Sequence, residues 1–114
     1  MSALMKPVTM YRNAGWSLVL KPYQDTACTT VFPLAGYTAK SELRSAESRT
    51  STLLATFTAT VDGTANTITL ALAKNTVAAI TAAKGYMDVI LTPPVGEPIN
   101  IAHCEAYIED GETA

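Results

Sequence analysis

From Thr52 to Leu72 the chain alternates apolar with polar side chains in two arms. In the first, Leu53, Ala55, Phe57, Ala59 and Val61 share one parity, and Thr52, Thr56, Thr58 and Thr60 share the other, with Leu54 the exception. In the second, Ile68, Leu70 and Leu72 alternate with Thr67, Thr69 and Ala71. A period of two means strands with one buried face. Between the arms lies Asp62-Gly63-Thr64-Ala65-Asn66. Asp, Gly and Asn form local side-chain bonds or tolerate positive φ, so the stretch reads as a β-hairpin.

The rest of the chain fits the same class. Val8–Tyr11 reads as a short edge strand behind Pro7, with residues 1–7 a loose arm. Trp16, Leu18 and Leu20 alternate with Ser17, Val19 and Lys21 in a second strand. Tyr37, Ala39, Ser41 and Leu43 face one way, while Thr38, Lys40, Glu42 and Arg44 form a polar face. Residues 45–51 lack apolar periodicity and form a connection. Asn75 as N-cap, the alanines after it and Gly85 as C-cap predict one short helix near residues 75–84. Tyr86–Thr92 and Ile99–Ile108 read as strands around a turn at Pro93–Pro98. The expectation is an all-β fold: one antiparallel Ig-like β-sandwich domain of six to eight short strands, spanning residues 1–114. Trp16, Leu18, Phe57, Ile68 and Leu70 are its expected core anchors.

A chain of 114 residues buries roughly two-thirds of its unfolded surface, enough for one core without a metal or disulfide. A net charge of −2 offers no basic field for nucleic acid. No run reaches the ~18 apolar residues of a membrane span. Met1–Leu20 is broken by Lys6, Pro7, Arg12 and Asn13 and lacks a signal-peptide core. Synthesis in a cytoplasm is expected, with Cys28 and Cys104 as reduced buried thiols. Only 16% of residues are charged, which leaves surface suited to subunit contacts. Residues 1–57 hold six basic and three acidic residues (+3); residues 58–114 hold two basic and seven acidic residues (−5). Four of those acids, Glu105, Glu109, Asp110 and Glu112, lie in the last ten residues, and 109–114 read as an acidic tail.

No catalytic or ligand-binding constellation emerges. His103 and Cys104 are adjacent, so on a strand they face opposite ways and cannot form a nucleophile–base pair. With Cys28 they make three soft ligands, short of a zinc set. Asp88 lies mid-strand without a second carboxylate at useful spacing. Asp62-Gly63-Thr64 lacks the later oxygen ligands of a calcium loop. No enzyme activity, cofactor, metal site or small-molecule ligand is expected.

The order of motifs carries a resemblance over roughly residues 8–108. Gly15-Trp16-Ser17-Leu18-Val19-Leu20 precedes Phe32-Pro33-Leu34-Ala35-Gly36-Tyr37. A strand, an Asp-Gly turn, Ile68-Thr69-Leu70-Ala71-Leu72, an Ala-rich helix and Gly85-Tyr86-Met87-Asp88-Val89 follow. This resembles the small β-sandwich domain of tailed-phage virion proteins, among them LtfC-like tail-collar proteins and the first domain of baseplate upper proteins. The resemblance implies a non-enzymatic virion adaptor that forms a ring and holds tail fibres. Its implied partners are its own copies and other tail or fibre proteins, with no nucleic acid or membrane. A capsid decoration or minor head protein is the alternative, and a small non-viral binding module a further one. Two surfaces are candidate interfaces between copies: the Lys40, Glu42, Arg44 face with Arg49, which leans basic, and the acidic segment with Glu109, Asp110 and Glu112.

Overall fold

The computed structural model describes residues 3–23 and 31–112. Among these, nine strands and one helix form two sheets around one core. Three strands make the smaller sheet, in the order β3 (Trp16–Leu20), β7 (Thr67–Leu72), β6 (Thr58–Asp62). The larger sheet centres on β8 (Lys84–Thr92), flanked by β4 (Thr38–Arg44) and β9 (Ile99–Glu109). Outside β4 lies β5 (Leu53–Thr56); outside β9 lie β1 (Ala3–Leu4) and β2 (Val8–Tyr11).

The expected hairpin is β6–β7, with Val61 opposite Ile68 and Ala59 opposite Leu70. Ile68, Leu70 and Leu72 are buried. Asp62 Oδ1 accepts hydrogen bonds from the Thr64 and Ala65 amides at 2.9 and 3.0 Å, which holds its carboxyl below the usual range. Asn66 takes φ 57°, and its Oδ1 accepts from the Leu34 amide at 3.0 Å. Gly63 is required because a Cβ there would lie 2.9 Å from Ala35 Cα.

Several expectations change. The first hairpin arm is two strands: β5 pairs with β4, β6 pairs with β7, and the chain changes sheets at Phe57. Alternation continues through the crossing because both sheets face the same core. Leu53, expected inside, is 46% exposed, since the pairing slips at Leu43/Arg44, and Leu54 packs on the core instead. The larger sheet is mixed, because β1 and β2 run parallel to β9. Side-chain periodicity is blind to strand direction. The helix, α1 (Lys74–Ala78), is shorter than expected, and its N-cap is Ala73 with no side-chain bond. Gly85 is no C-cap but a buried residue of β8, where a Cβ would meet Leu43 Cδ1 at 2.8 Å. Beyond the helix, the Ala83 carbonyl is taken by the Ile108 amide at 2.9 Å, so tertiary bonds replace another helical turn. The N-terminal segment expected to be loose is tied along β9 by β1 and by a Met5 N–H to His103 carbonyl bond of 2.9 Å.

The core joins inward residues of both sheets with Met10, Leu34, Val77 and Ile80. Phe57, Ile68 and Leu70 are buried as expected. Trp16 is half-buried and packs at 5.3 Å, tilted, on Phe57. Leu18 is also half-buried, paired opposite the buried Leu70, and Leu20 beyond it packs on the core. Phe57→Ala is therefore expected to cost ~3–5 kcal/mol in urea unfolding. Trp16→Ala is expected to cost less, because part of the ring already meets solvent. Equal costs would contradict the placement of Phe57 at the crossing.

Candidate functional site

The outward residues of β4, β8 and β9 follow from alternation: with Leu43, Met87, Val89, Ala102 and Cys104 buried, their neighbours face out. Register sets them in rows. Glu42 lies opposite Asp88, which lies opposite His103; Arg44 lies opposite Tyr86, which lies opposite Glu105. Lys40 lies opposite Ile90, and a slip after Val89 places Asn100 beside Ile90. Met5 and Pro7 border this face on one side and residues 46–49 on the other, enclosing a groove of ≈ 810 Å³.

Three cationic and four acidic side chains line the groove (Lys40, Arg44, Arg49 against Glu42, Glu47, Asp88, Glu105). The expected basic lean is thus absent, because pairing with β8 and β9 adds Asp88 and Glu105. Arg44 Nη2 lies 3.1 Å from Glu42 Oε1, and its Nη1 donates to the Ser51 carbonyl at 2.7 Å. Lys40 Nζ stands 4.0 Å from Glu42 Oε2. Asn100 Nδ2 donates to Asp88 Oδ2 at 2.9 Å, while its Oδ1 is buried without a partner among the described residues. At the far end Tyr107 donates to Glu105 at 2.8 Å, which raises the phenol's pKa. Lys84 bridges to Glu105 at 3.5 Å and lies over the Tyr86 and Tyr107 rings.

The two candidate interfaces lie apart. Lys40, Glu42, Arg44 and Arg49 meet at the groove. Glu109, Asp110 and Glu112 gather near Tyr11 and Asn13. Glu109 ends β9 rather than starting a tail. Asp110 is paired at 2.8 Å with Arg12. Arg12 also donates to the carbonyls of Ile80 and Ala82 at 2.7 and 3.0 Å, fastening the segment after α1 to the end of β2. Internal pairing thus occupies Glu42, Arg44 and Asp110. Arg49, Glu109 and Glu112 enter no ion pair among the described residues.

His103 faces the groove while Cys104 is buried on the other side of β9, as strand geometry requires. Burial, then the neighbouring Glu105 charge, pushes the Cys104 thiol up to about 11. Cys28 lies outside the described residues. Sequence reading missed Tyr86, Asn100 and Glu105 as neighbours of the Lys40 face, and missed Arg12 as a clamp. The alternation of β8 and β9 signalled that some of these residues face out, but only register sets them beside β4.

The residues thus build a β-sandwich domain with a mixed-charge groove on the outer face of its larger sheet. The family model described as LtfC-like, beta-sandwich domain matches residues 3–108, and the chain belongs to this family. The match supports the resemblance seen in the sequence at the level of a phage-associated β-sandwich protein. A search of curated proteins finds no match.

Arg12→Ala leaves two carbonyls without their donor and is expected to cost ~1–3 kcal/mol. Asp110→Ala removes an ion pair whose acid is 86% exposed and is expected to cost at most ~1 kcal/mol. Arg12→Lys does not rescue, since a single ammonium cannot reproduce the fork. Denaturant melts compare the three. For Cys104, the folded pKa exceeds the unfolded value of 9.0. Its contribution to stability is full below pH 9 and declines as pH rises toward 11. In a Cys28→Ser background, folded protein is expected to resist thiol alkylation at pH 8 and urea-unfolded protein to react. Rapid labelling of the folded form would contradict the burial.

Proposed function

We propose that this protein is a virion structural protein of a tailed phage. Its role is that of a tail collar or baseplate adaptor, which forms a ring of its own copies and anchors tail fibres. The observation that carries this reading is the LtfC-like match across residues 3–108. It covers the whole sandwich rather than one motif. The groove supports an adaptor role, since it presents both signs of charge and aromatic surface. Partner surfaces of proteins use such mixtures, with Tyr and Arg carrying much of the contact energy. Cytoplasmic synthesis followed by residence in the particle belongs to the same reading.

Purified virions test it. Mass spectrometry is expected to find the chain in several copies per particle, and antibody gold to mark the tail or its junction with the fibres. Labelling over the head would replace the collar reading with capsid decoration. Absence of the chain from particles would overturn both and leave a non-virion binding module.

A further inference from the structure

We infer that copies of this chain join head to tail by seating the 93–98 loop of one copy in the groove of the next. This contact rests on the ring reading above.

The loop joins β8 to β9 and reads Pro93-Pro94-Val95-Gly96-Glu97-Pro98. Val95 at its tip is 91% exposed, and Ile99 at its base is 39% exposed. Pro94 and Pro98 are exposed beside them, which makes a small apolar knob. The knob is braced. Gly36, at φ +80°, approaches Pro94 so closely that a Cβ would lie 3.2 Å from its Cγ. Gly96, at φ +127°, tucks against the Pro93 ring in the same way, at 3.3 Å. Prolines fix φ, and a loop already held in shape loses little freedom on docking.

The groove offers the complement. Its lining is more apolar than polar, with Tyr86 and Ile90 on the floor. Its ≈ 810 Å³ is within the ~300–1,000 Å³ of sites that enclose compact ligands. The charges match as well. Glu97 on the knob enters no ion pair among the described residues, and neither does Arg49 of the groove lining; Lys40, which also lines the groove, is 71% exposed. The other acids of the lining, Asp88, Glu105 and Glu47, disfavour an acidic tip. The arrangement therefore suits an uncharged tip with its acid left at a cation of the lining, Arg49 or Lys40, which is the order of Val95 and Glu97. Knob and groove are different patches of one chain, so the contact is heterologous and repeats from copy to copy, as a ring requires. A second copy is the occupant because this chain carries both halves.

The test uses the full chain, with Val95→Asp to spoil the knob and Ile90→Arg to spoil the groove. Ser48→Trp, on the exposed connection that lines the groove, obstructs it without altering a strand and covers the case in which Ile90→Arg fails to fold. Light scattering over a concentration series is expected to show assembly of the unaltered protein and monomers for each variant alone. An equimolar mixture of knob and groove variants retains one good interface and is expected to form dimers that grow no further. Arg49→Glu is expected to weaken assembly by about tenfold, equivalent to roughly 1.4 kcal/mol, and Glu97→Arg in the same chain to restore it. The inference is overturned by an unaltered protein that stays monomeric at every concentration. It is equally overturned by folded variants that assemble normally, or by mixtures that form no dimers. Whether the chain is present in virions, and where, is read from the particles alone, so the virion reading stands or falls separately from this contact.

Discussion

The crossing at Phe57 is the constraint on which the sandwich depends. One unbroken run of alternating residues serves two sheets, β5 pairing with β4 and β6 with β7. The Phe57 amide donates to the Ser41 carbonyl at 3.0 Å, so the crossing residue stays tied to the larger sheet while the next residue begins the smaller one. Its ring, 4% exposed, fills the space between the layers and supports Trp16 at the start of β3. A polar residue there would interrupt the core where the sheets are joined covalently, with no water available to solvate it.

The same economy shapes the outer face of the larger sheet. Inward residues of β4, β8 and β9 close the core, and register then sets outward residues of both charges side by side. Glu42 answers Arg44, and Asn100 answers Asp88. These pairs are partly exposed and contribute little net stability. Their larger effect is on geometry: they hold long side chains to the sheet, leaving an open groove between the 46–49 connection and the Met5–Pro7 border.

The margins of the fold are held by polar bonds as well as by apolar burial. Arg12 gathers the carbonyls of Ile80 and Ala82 and the carboxylate of Asp110. It thereby joins the end of β2, the segment after α1 and the chain beyond β9. The short helix needs this help. It has five residues and no side-chain cap, far below the ~12–15 at which an isolated helix becomes stable. Its position is set by Val77 in the core and by Arg12 beyond its end.

Local pattern alone determined the strands at 8–11, 16–20, 38–44 and 67–72, the buried parities of the last three and the Asp62–Asn66 turn. Each follows from alternation or turn chemistry written in neighbouring residues. The opposite facing of His103 and Cys104 was legible for the same reason. Tertiary structure decided what neighbours cannot encode: the change of sheet at Phe57, the parallel pairing of β1 and β2 with β9, and the burial of Gly85 against Leu43. It also decided that Asp88 and Glu105 would join the Lys40 face, turning an apparent basic strip into a mixed groove. Alternation states which side of a strand is dry, because burial acts on each side chain singly. Partner, direction and register depend on backbone hydrogen bonds between distant residues, and every non-proline residue carries the same donor and acceptor.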